Sequence, residues 1–100
     1  MSNAWKIPKE IERLVLERDK SCVYCGCEFS TIERAKKKSW EHIINDIRIT
    51  TLDNIALCCI GCNASKGSKD LVTWFYSDNA IKRGVSINTI SDIVKSQLTK

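Results

Sequence analysis

The chain has 100 residues, of which 43% are hydrophobic and 28% charged, and its formal net charge is +4. A chain of this length forms one small domain whose modest core benefits from a metal or another cross-link. The weak positive charge alone does not establish a nucleic-acid partner, and the lack of a long apolar run argues against a secretory signal or a membrane span. The composition therefore predicts a single soluble, cytoplasmic domain over residues 1–100 with no membrane partner.

The first predicted helix follows Pro8, which suits the first turn of a helix because its φ is already fixed. Ile11, Leu14 and Val15 recur at helical spacing and form one apolar face. The polar run 19–21 should end this helix directly before the first pair of cysteines.

Six cysteines need an explanation, and the spacing of four of them supplies one. They form two C-x-x-C pairs: Cys22 with Cys25, and Cys59 with Cys62. Each turn directs two thiolates at one point, so two turns complete a tetrahedral site for structural Zn²⁺. A disulfide framework is less consistent with this chain, because such frameworks are typical of secreted proteins. A thioredoxin-type redox site is also less consistent, because it needs one C-x-x-C pair in a βαβ unit and not two matched pairs. The leftover Cys27 and Cys58 are interpreted as small apolar residues of the core.

Residues 30–38, STIERAKKK, are polar and basic, and they predict a loop or a short helix. This segment makes one end of the molecule positive. A solvated charge run is the more common explanation of such a segment, and a direct contact with phosphate groups is the alternative.

A rise in β-branched residues predicts two short antiparallel strands, WEHII (40–44) and NIALC (54–58). The long loop between them carries three charged residues: Asp46, Arg48 and Asp53. His42, the only histidine of the chain, lies in the first strand. A lone histidine beside apolar residues is more often a packing residue than a catalyst, so its neighbours decide the question.

Helical segments follow the hairpin. IGCNASKGSK begins a helix with Gly67 as a bend or cap, and DLVTWFYSDNAIKRG predicts one helix that stops at Gly84. Ser86 or Asn88 should cap a last helix. The apolar faces are Leu71, Trp74 and Phe75 in the second of these helices, and Ile90, Ile93, Val94 and Leu98 in the last. The Trp-Phe-Tyr cluster could stack on bases, but packing in the core is the simpler interpretation.

The stretches WEHI and DNIALCCIGCNASKG resemble the HNH endonuclease family, whose ββα-metal fold is a small α+β unit. The family motif is an Asp-His or Glu-His pair, then an Asn, then a final His or Asn. In this chain the motif falls on Glu41-His42, Asn54 and Asn63. Four-cysteine members carry a structural zinc with the cysteine pairs placed as here. The resemblance covers residues 8–70 as a nuclease core and leaves 71–100 as a C-terminal helical extension.

The resemblance implies metal-dependent hydrolysis of phosphodiester bonds in nucleic acid, with double-stranded DNA as the expected partner in a bacterial or phage setting. His42 suits a general base, because an imidazole of pKa about 6.5 accepts protons near neutral pH. Glu41 and Asn63 offer hard oxygen ligands to Mg²⁺ or another divalent cation, and Asn54 would orient the imidazole. Three cations are candidates for contacts with flanking phosphates, or are ordinary surface charges: Arg48, Lys66 and Lys69.

One geometric difficulty and two alternative functions stay open. Glu41 and His42 are neighbours, and neighbouring residues of a strand point to opposite faces, so both can serve one phosphate only where the strand ends. A non-catalytic zinc module that binds nucleic acid or protein would not need a Glu-His pair with amides at these spacings. A redox or zinc-storage protein would use the cysteines directly, and a thiol titration of the folded protein would distinguish it.

Overall fold

The computed structural model describes residues 7–99 of the chain. Within them the elements are α1 (Lys9–Arg18), a 3₁₀ turn (Arg34–Lys36), β1 (Lys38–His42), β2 (Ile55–Cys59), α2 (Ile60–Lys66), α3 (Leu71–Phe75), α4 (Asp78–Lys82) and α5 (Asp92–Leu98). The strands form a two-stranded sheet surrounded by helices, which confirms the predicted small α+β class. No helix in this part of the chain has the length and apolar character that crossing a membrane requires.

The two strands pair antiparallel, as predicted, but their bounds differ from the expected ones. Trp40 lies opposite Leu57, and His42 lies opposite Ile55. β1 starts two residues earlier than predicted and ends at His42, so that Ile43 and the residue after it leave the sheet. Glu41 and His42 are both residues of β1, so a single site served by both side chains stays a prediction.

Both faces of the hairpin are buried, and they belong to two different apolar clusters. Trp40, Ile55 and Leu57 pack with Val15 of α1. On the other face, Cys58 belongs to a larger cluster. This cluster includes residues around the first cysteine pair and residues of the C-terminal helices. Helices packed on both sides explain why all five residues of β2 are buried, rather than alternate ones.

α1 is tied to β2 by an ion pair at its C-terminal end. Asp19 is buried, and its Oδ2 accepts a hydrogen bond of 3.0 Å from the backbone N–H of Leu57. Arg18 lies 2.7 Å from the carboxylate of Asp19 and donates a 2.7 Å hydrogen bond to the carbonyl of Ile55. These contacts satisfy backbone groups on the edge of β2 that would otherwise lack partners in a two-stranded sheet.

The single helix predicted for residues 70–84 is wrong, because the chain forms two short helices there. Ser77 separates them: its hydroxyl accepts a 3.2 Å hydrogen bond from the N–H of Ala80 and donates one of 2.6 Å to the carbonyl of Trp74. A serine that satisfies backbone groups at the end of one helix and the start of the next favours a break between them.

The start of the last helix also differs from the prediction. α5 begins at Asp92 with Ser91 at its N-cap, not at Ser86 or Asn88. Those two residues belong to a turn that Thr89 closes, since its hydroxyl accepts a 2.9 Å hydrogen bond from the N–H of Ser86. The apolar spacing extended across this turn and so indicated a longer helix.

Trp74 belongs to the core, as predicted. It is fully buried, and its ring packs edge-on against Tyr24 with the centroids 4.9 Å apart. The exposed aromatic of this cluster is Tyr76, which is 72% exposed. The segment after residue 70 thus shares one apolar cluster with the residues around the first cysteine pair.

Candidate metal centre and catalytic site

Two short backbone turns bring four cysteines together. Gly26 closes the first turn by donating a 3.0 Å hydrogen bond to the carbonyl of Cys22, and its φ of 77° lies in the left-handed region that favours glycine. The second turn lies where β2 passes into α2, and the N–H of Cys62 donates to the sulfur of Cys59 over 3.4 Å. The ligand atoms of all four residues lie within 4.8 Å of one another: Cys22, Cys25, Cys59 and Cys62.

This cluster could hold a metal ion such as zinc. Sulfur atoms at the corners of a tetrahedron with Zn–S bonds of about 2.3 Å are about 3.8 Å apart. The sulfurs of Cys25 and Cys59 are 3.9 Å apart, although they come from the two different pairs. The donor set and its spacing both fit a four-coordinate thiolate site.

The four thiols influence one another's protonation. Hydrogen bonding from the Cys22 thiol lowers the pKa of Cys59. Hydrogen bonding with Cys25 raises the pKa of Cys22, and hydrogen bonding with Cys22 raises that of Cys62. Thiolates this close repel one another, so the cluster can lose all its protons only when a cation offsets the charge.

The other two cysteines lie outside the cluster, as predicted. Cys58 is fully buried in the apolar core, with its sulfur 3.6 Å from the hydroxyl of Ser39. Cys27 is partly buried and packs against the same core. Burial raises the pKa of Cys58, which keeps its thiol protonated.

A residue that the sequence pattern did not single out contacts the cluster. Arg83, at the C-terminal end of α4, donates from Nε to the sulfur of Cys62 over 3.4 Å and from Nη2 to that of Cys59 over 3.6 Å. No local pattern links position 83 to the cysteines, because the contact depends on how α4 packs beside α2.

His42 is the last residue of β1 and is only 3% exposed. Burial lowers the pKa of His42, the ammonium of Lys66 lowers it further, and the carboxylate of Asp46 opposes both. The imidazole is therefore neutral at pH 7, which is the state that accepts a proton.

Asn54 holds the backbone that follows His42. Its Oδ1 accepts a 2.7 Å hydrogen bond from the N–H of Ile44, and its Nδ2 donates to the carbonyls of Ile44 and Ile49 over 3.2 and 2.9 Å. Asn54 is 1% exposed, so these bonds are shielded from water. The contacts are those expected of a side chain that fixes the loop beside the histidine.

Glu41 and Lys66 form a buried ion pair beside His42. The Nζ of Lys66 lies 3.1 Å from Oε2 of Glu41 and 3.4 Å from the carbonyl oxygen of His42. The hydroxyl of Tyr24 donates a 2.7 Å hydrogen bond to the same Oε2. Burial raises the pKa of Glu41, and Lys66 opposes that effect. Lys66 is fully buried, so it is neither a surface charge nor exposed to a phosphate group, in contrast to the sequence-based interpretation.

The two predicted ligands of Mg²⁺ are both engaged by protein groups. Oε2 of Glu41 already accepts from Lys66 and Tyr24. The Nδ2 of Asn63 donates to the hydroxyl of Ser39 over 3.0 Å and to the carbonyl of Trp40 over 3.1 Å, which directs this amide towards the start of β1. These contacts occupy one carboxylate oxygen of Glu41 and the amide nitrogen of Asn63, and the role of the two residues as cation ligands stays a prediction.

The other two candidate phosphate contacts lie at the surface. Arg48 is exposed and pairs with Asp46 over 2.8 Å, which holds the pKa of Asp46 at about 2. Lys69 is exposed, and its ammonium donates to the carbonyl of Ser65 over 3.2 Å. Both cations are accessible to a polyanion, and a contact with nucleic acid stays a prediction.

No protein-family model, curated protein or solved structure matches the chain. The resemblance to HNH endonucleases therefore depends on the motif residues of the sequence.

Proposed function

We propose that this chain is a zinc-stabilised endonuclease of the HNH type that hydrolyses phosphodiester bonds in DNA. One arrangement carries the proposal: a strand–strand–helix unit with a four-cysteine cluster at one end and the Glu41-His42 pair at the other. Zinc suits this cluster because a four-thiolate donor set at tetrahedral spacing is its usual structural site.

The environment of His42 supports its role as general base. Its lowered pKa keeps the imidazole neutral at pH 7, where it can accept a proton from the attacking water. The hydrogen bonds of Asn54 to Ile44 restrain the backbone next to the ring, so that the imidazole needs little reorganisation.

A hard cation that bound Glu41 would compete with Lys66 and Tyr24, which both contact Oε2 of its carboxylate. When bound, such a cation would supply the positive charge that stabilises the phosphorane and the leaving oxygen. Cleavage followed in the presence and absence of Mg²⁺ would measure the requirement for a divalent cation directly.

A non-catalytic zinc module that binds nucleic acid is the second candidate, and two observations favour it. His42 is 3% exposed, which limits access of a phosphate to its ring. The basic segment Arg34–Lys38 is exposed and borders a groove of about 540 Å³ lined in part by Lys37 and Lys38. Charge complementarity makes this segment a surface for a polyanion whether or not the chain cleaves it.

The experiment compares wild-type protein and His42→Ala on supercoiled plasmid, with and without Mg²⁺, alongside zinc content and melting curves. Because a positioned general base contributes about 10² to 10⁴-fold, His42→Ala should slow cleavage by that factor or more while it keeps zinc. Cleavage by His42→Ala at the wild-type rate would contradict the nuclease proposal. A wild-type protein that shifts DNA in a gel but leaves the plasmid intact would establish the binding module instead.

A further inference from the structure

We propose that Arg83 is a positioning residue of the metal centre, whose guanidinium group donates hydrogen bonds to two metal-bound thiolates and so retains the zinc. This inference rests on the zinc site of the proposed function and not on its nuclease activity. It also gives the C-terminal helices a role, since it makes α4 part of the metal site.

The contacts come from two different atoms of one planar group. Nε lies 3.4 Å from the sulfur of Cys62, and Nη2 lies 3.6 Å from the sulfur of Cys59. Both cysteines are 1% exposed or less, so water does not solvate their charge. Arg83 thus engages both ligands of the second cysteine pair at once.

The charge of the site explains why a cation belongs there. Four thiolates around one Zn²⁺ leave a net negative charge, and negative charge in a buried position is costly unless a nearby cation offsets it. A guanidinium keeps its charge at all physiological pH values. It also presents several N–H groups in a fixed planar fork, whereas the ammonium of a lysine is a single point charge. Groups that hydrogen-bond metal ligands typically contribute 10- to 100-fold in metal affinity.

Gly61, between the two cysteines of the second pair, leaves the space that Arg83 occupies. A Cβ at this position would lie 2.8 Å from Cζ of Arg83, so an alanine would displace the guanidinium. The backbone at Gly61 does not itself require glycine, because its φ is not among the positive values, which occur at Gly26, Gly67 and Gly84 in the described part of the chain. A larger residue at position 61 would therefore fit only if the side chain of Arg83 moved away.

Two substitutions remove the same contacts in different ways. Arg83→Met deletes the guanidinium group, and Gly61→Ala pushes it away from the sulfurs while leaving it in the chain. Gly61 lies in the first turn of α2, and alanine has a higher helix propensity than glycine, so weaker zinc binding in Gly61→Ala would not come from a weaker α2. Lys82→Met is the matched control, since it removes the same charge from the exposed neighbouring position of α4.

Zinc affinity is measured by competition with a chromogenic chelator on the full chain. Arg83→Met and Gly61→Ala should each bind zinc 10- to 100-fold more weakly than wild type. Arg83→Lys should fall between them and wild type, and Lys82→Met should match wild type. Wild-type affinity in either of the first two variants, or an equal loss in Lys82→Met, would overturn the inference.

Cobalt in place of zinc provides a readout that a purely structural role of Arg83 would not change. Hydrogen bonds stabilise the sulfur lone pairs, so their loss should move the thiolate-to-cobalt charge-transfer bands to longer wavelength in both variants but not in Lys82→Met. Unshifted bands would overturn the inference. A wild-type chain that binds no metal would overturn it together with the zinc site, whereas zinc-loaded protein that leaves plasmid intact would remove the nuclease proposal alone.

Discussion

The two ends of the β1–β2 hairpin are both rich in polar and ionisable groups, but they are built differently. At the Cys59 end, four like groups converge within 4.8 Å of one another. At the His42 end, buried groups from separate segments already have complementary partners: Glu41 pairs with Lys66, and Asn54 bonds the backbone at Ile44. Convergent thiols become stable together only around a cation, whereas paired groups stabilise the fold without any ligand.

The comparison shows which end of the hairpin could perform its proposed role without a rearrangement of side chains. The cysteine end has the donor spacing of a metal site in the fold described here. The histidine end has a neutral imidazole and a restrained backbone, but its carboxylate is held by a lysine. Under the proposed function, catalysis there would depend first on His42, and metal ligation by Glu41 would compete with the ion pair.

Loss of one cysteine of the cluster should have the largest effect. Cys59→Ser should lose zinc and cooperative unfolding together, because structural zinc contributes on the order of 10 kcal/mol of apparent free energy to folding. Cys58→Ser is the matched control: this neighbour is buried but outside the cluster, so zinc should stay at about one per chain. Metal analysis and thermal melts measure both, and a zinc-loaded Cys59→Ser protein would show that the site does not use this cysteine.

Loss of Lys66 should have the next largest effect, at the other end of the hairpin. Lys66→Met leaves the carboxylate of Glu41 buried without its cation, which should cost about 3–5 kcal/mol of unfolding free energy while zinc is retained. Glu41→Gln combined with Lys66→Met should recover much of that loss. Urea unfolding followed by tryptophan fluorescence measures these differences.

Lys69→Met is the control for that comparison, because Lys69 is an exposed lysine three residues after Lys66. Its unfolding free energy should change by less than about 0.5 kcal/mol. Equal stabilities of the Lys66→Met and Lys69→Met proteins would show that the ion pair contributes nothing.

Asn54→Ala should have a smaller effect on the same end. It deletes three hydrogen bonds, one from the N–H of Ile44 and two to the carbonyls of Ile44 and Ile49. Their loss should cost about 2 kcal/mol of unfolding free energy. Amide exchange at Ile44 should accelerate, and zinc content should stay unchanged. Asn45→Ala, which removes an exposed amide, is the control. Unaltered exchange at Ile44 in Asn54→Ala would mean that the amide does not restrain the loop.

The titration of His42 should have the smallest effect on the free energy of unfolding. Its pKa is lowered in the fold, so the stability it contributes is present above about pH 6.5 and is lost as pH falls through the folded-state value. Because this is the only histidine, its ring signals in an NMR titration report the pKa directly. If His42 is the base, cleavage should decline over the same acidic range.

Asp46→Asn tests the cause of that shift. Asp46 raises the pKa of His42, so its neutralisation should move the titration to lower pH, whereas Lys66→Met should move it to higher pH. Shifts in the same direction for both variants would contradict the assigned charges around the ring.

Local sequence predicted the cysteine end well. A C-x-x-C turn is a short-range structure, so the pattern separated Cys22, Cys25, Cys59 and Cys62 from the two leftover cysteines before any fold was known. The helix after the second pair was also predictable, since it ends at Gly67, whose φ of 52° few other residues adopt. The rise in β-branched residues indicated the hairpin but not its bounds, because the ends of strands depend on their partners.

The burial of Lys66 depends on contacts between segments that are distant in the sequence. A lysine is almost never fully buried unless it is paired, and nothing in the local sequence shows which residue would pair with it. The partner, Glu41, lies in β1 and comes into reach because α2 packs along that strand. Tyr24 contacts the same carboxylate from the first cysteine turn, and no local pattern indicated that contact either.

The contact of Arg83 with the cysteines also depends on tertiary structure alone. It joins residues 21 and 24 positions apart, and it forms because the chain breaks at Ser77 and α4 lies beside the second cysteine turn. The apolar spacing of residues 71–75 was correct but continued past the break, since periodicity records which face is buried and not where a serine interrupts the backbone. Short-range patterns therefore predicted the four cysteines of the cluster, whereas the packing of separate segments placed Arg83 against them.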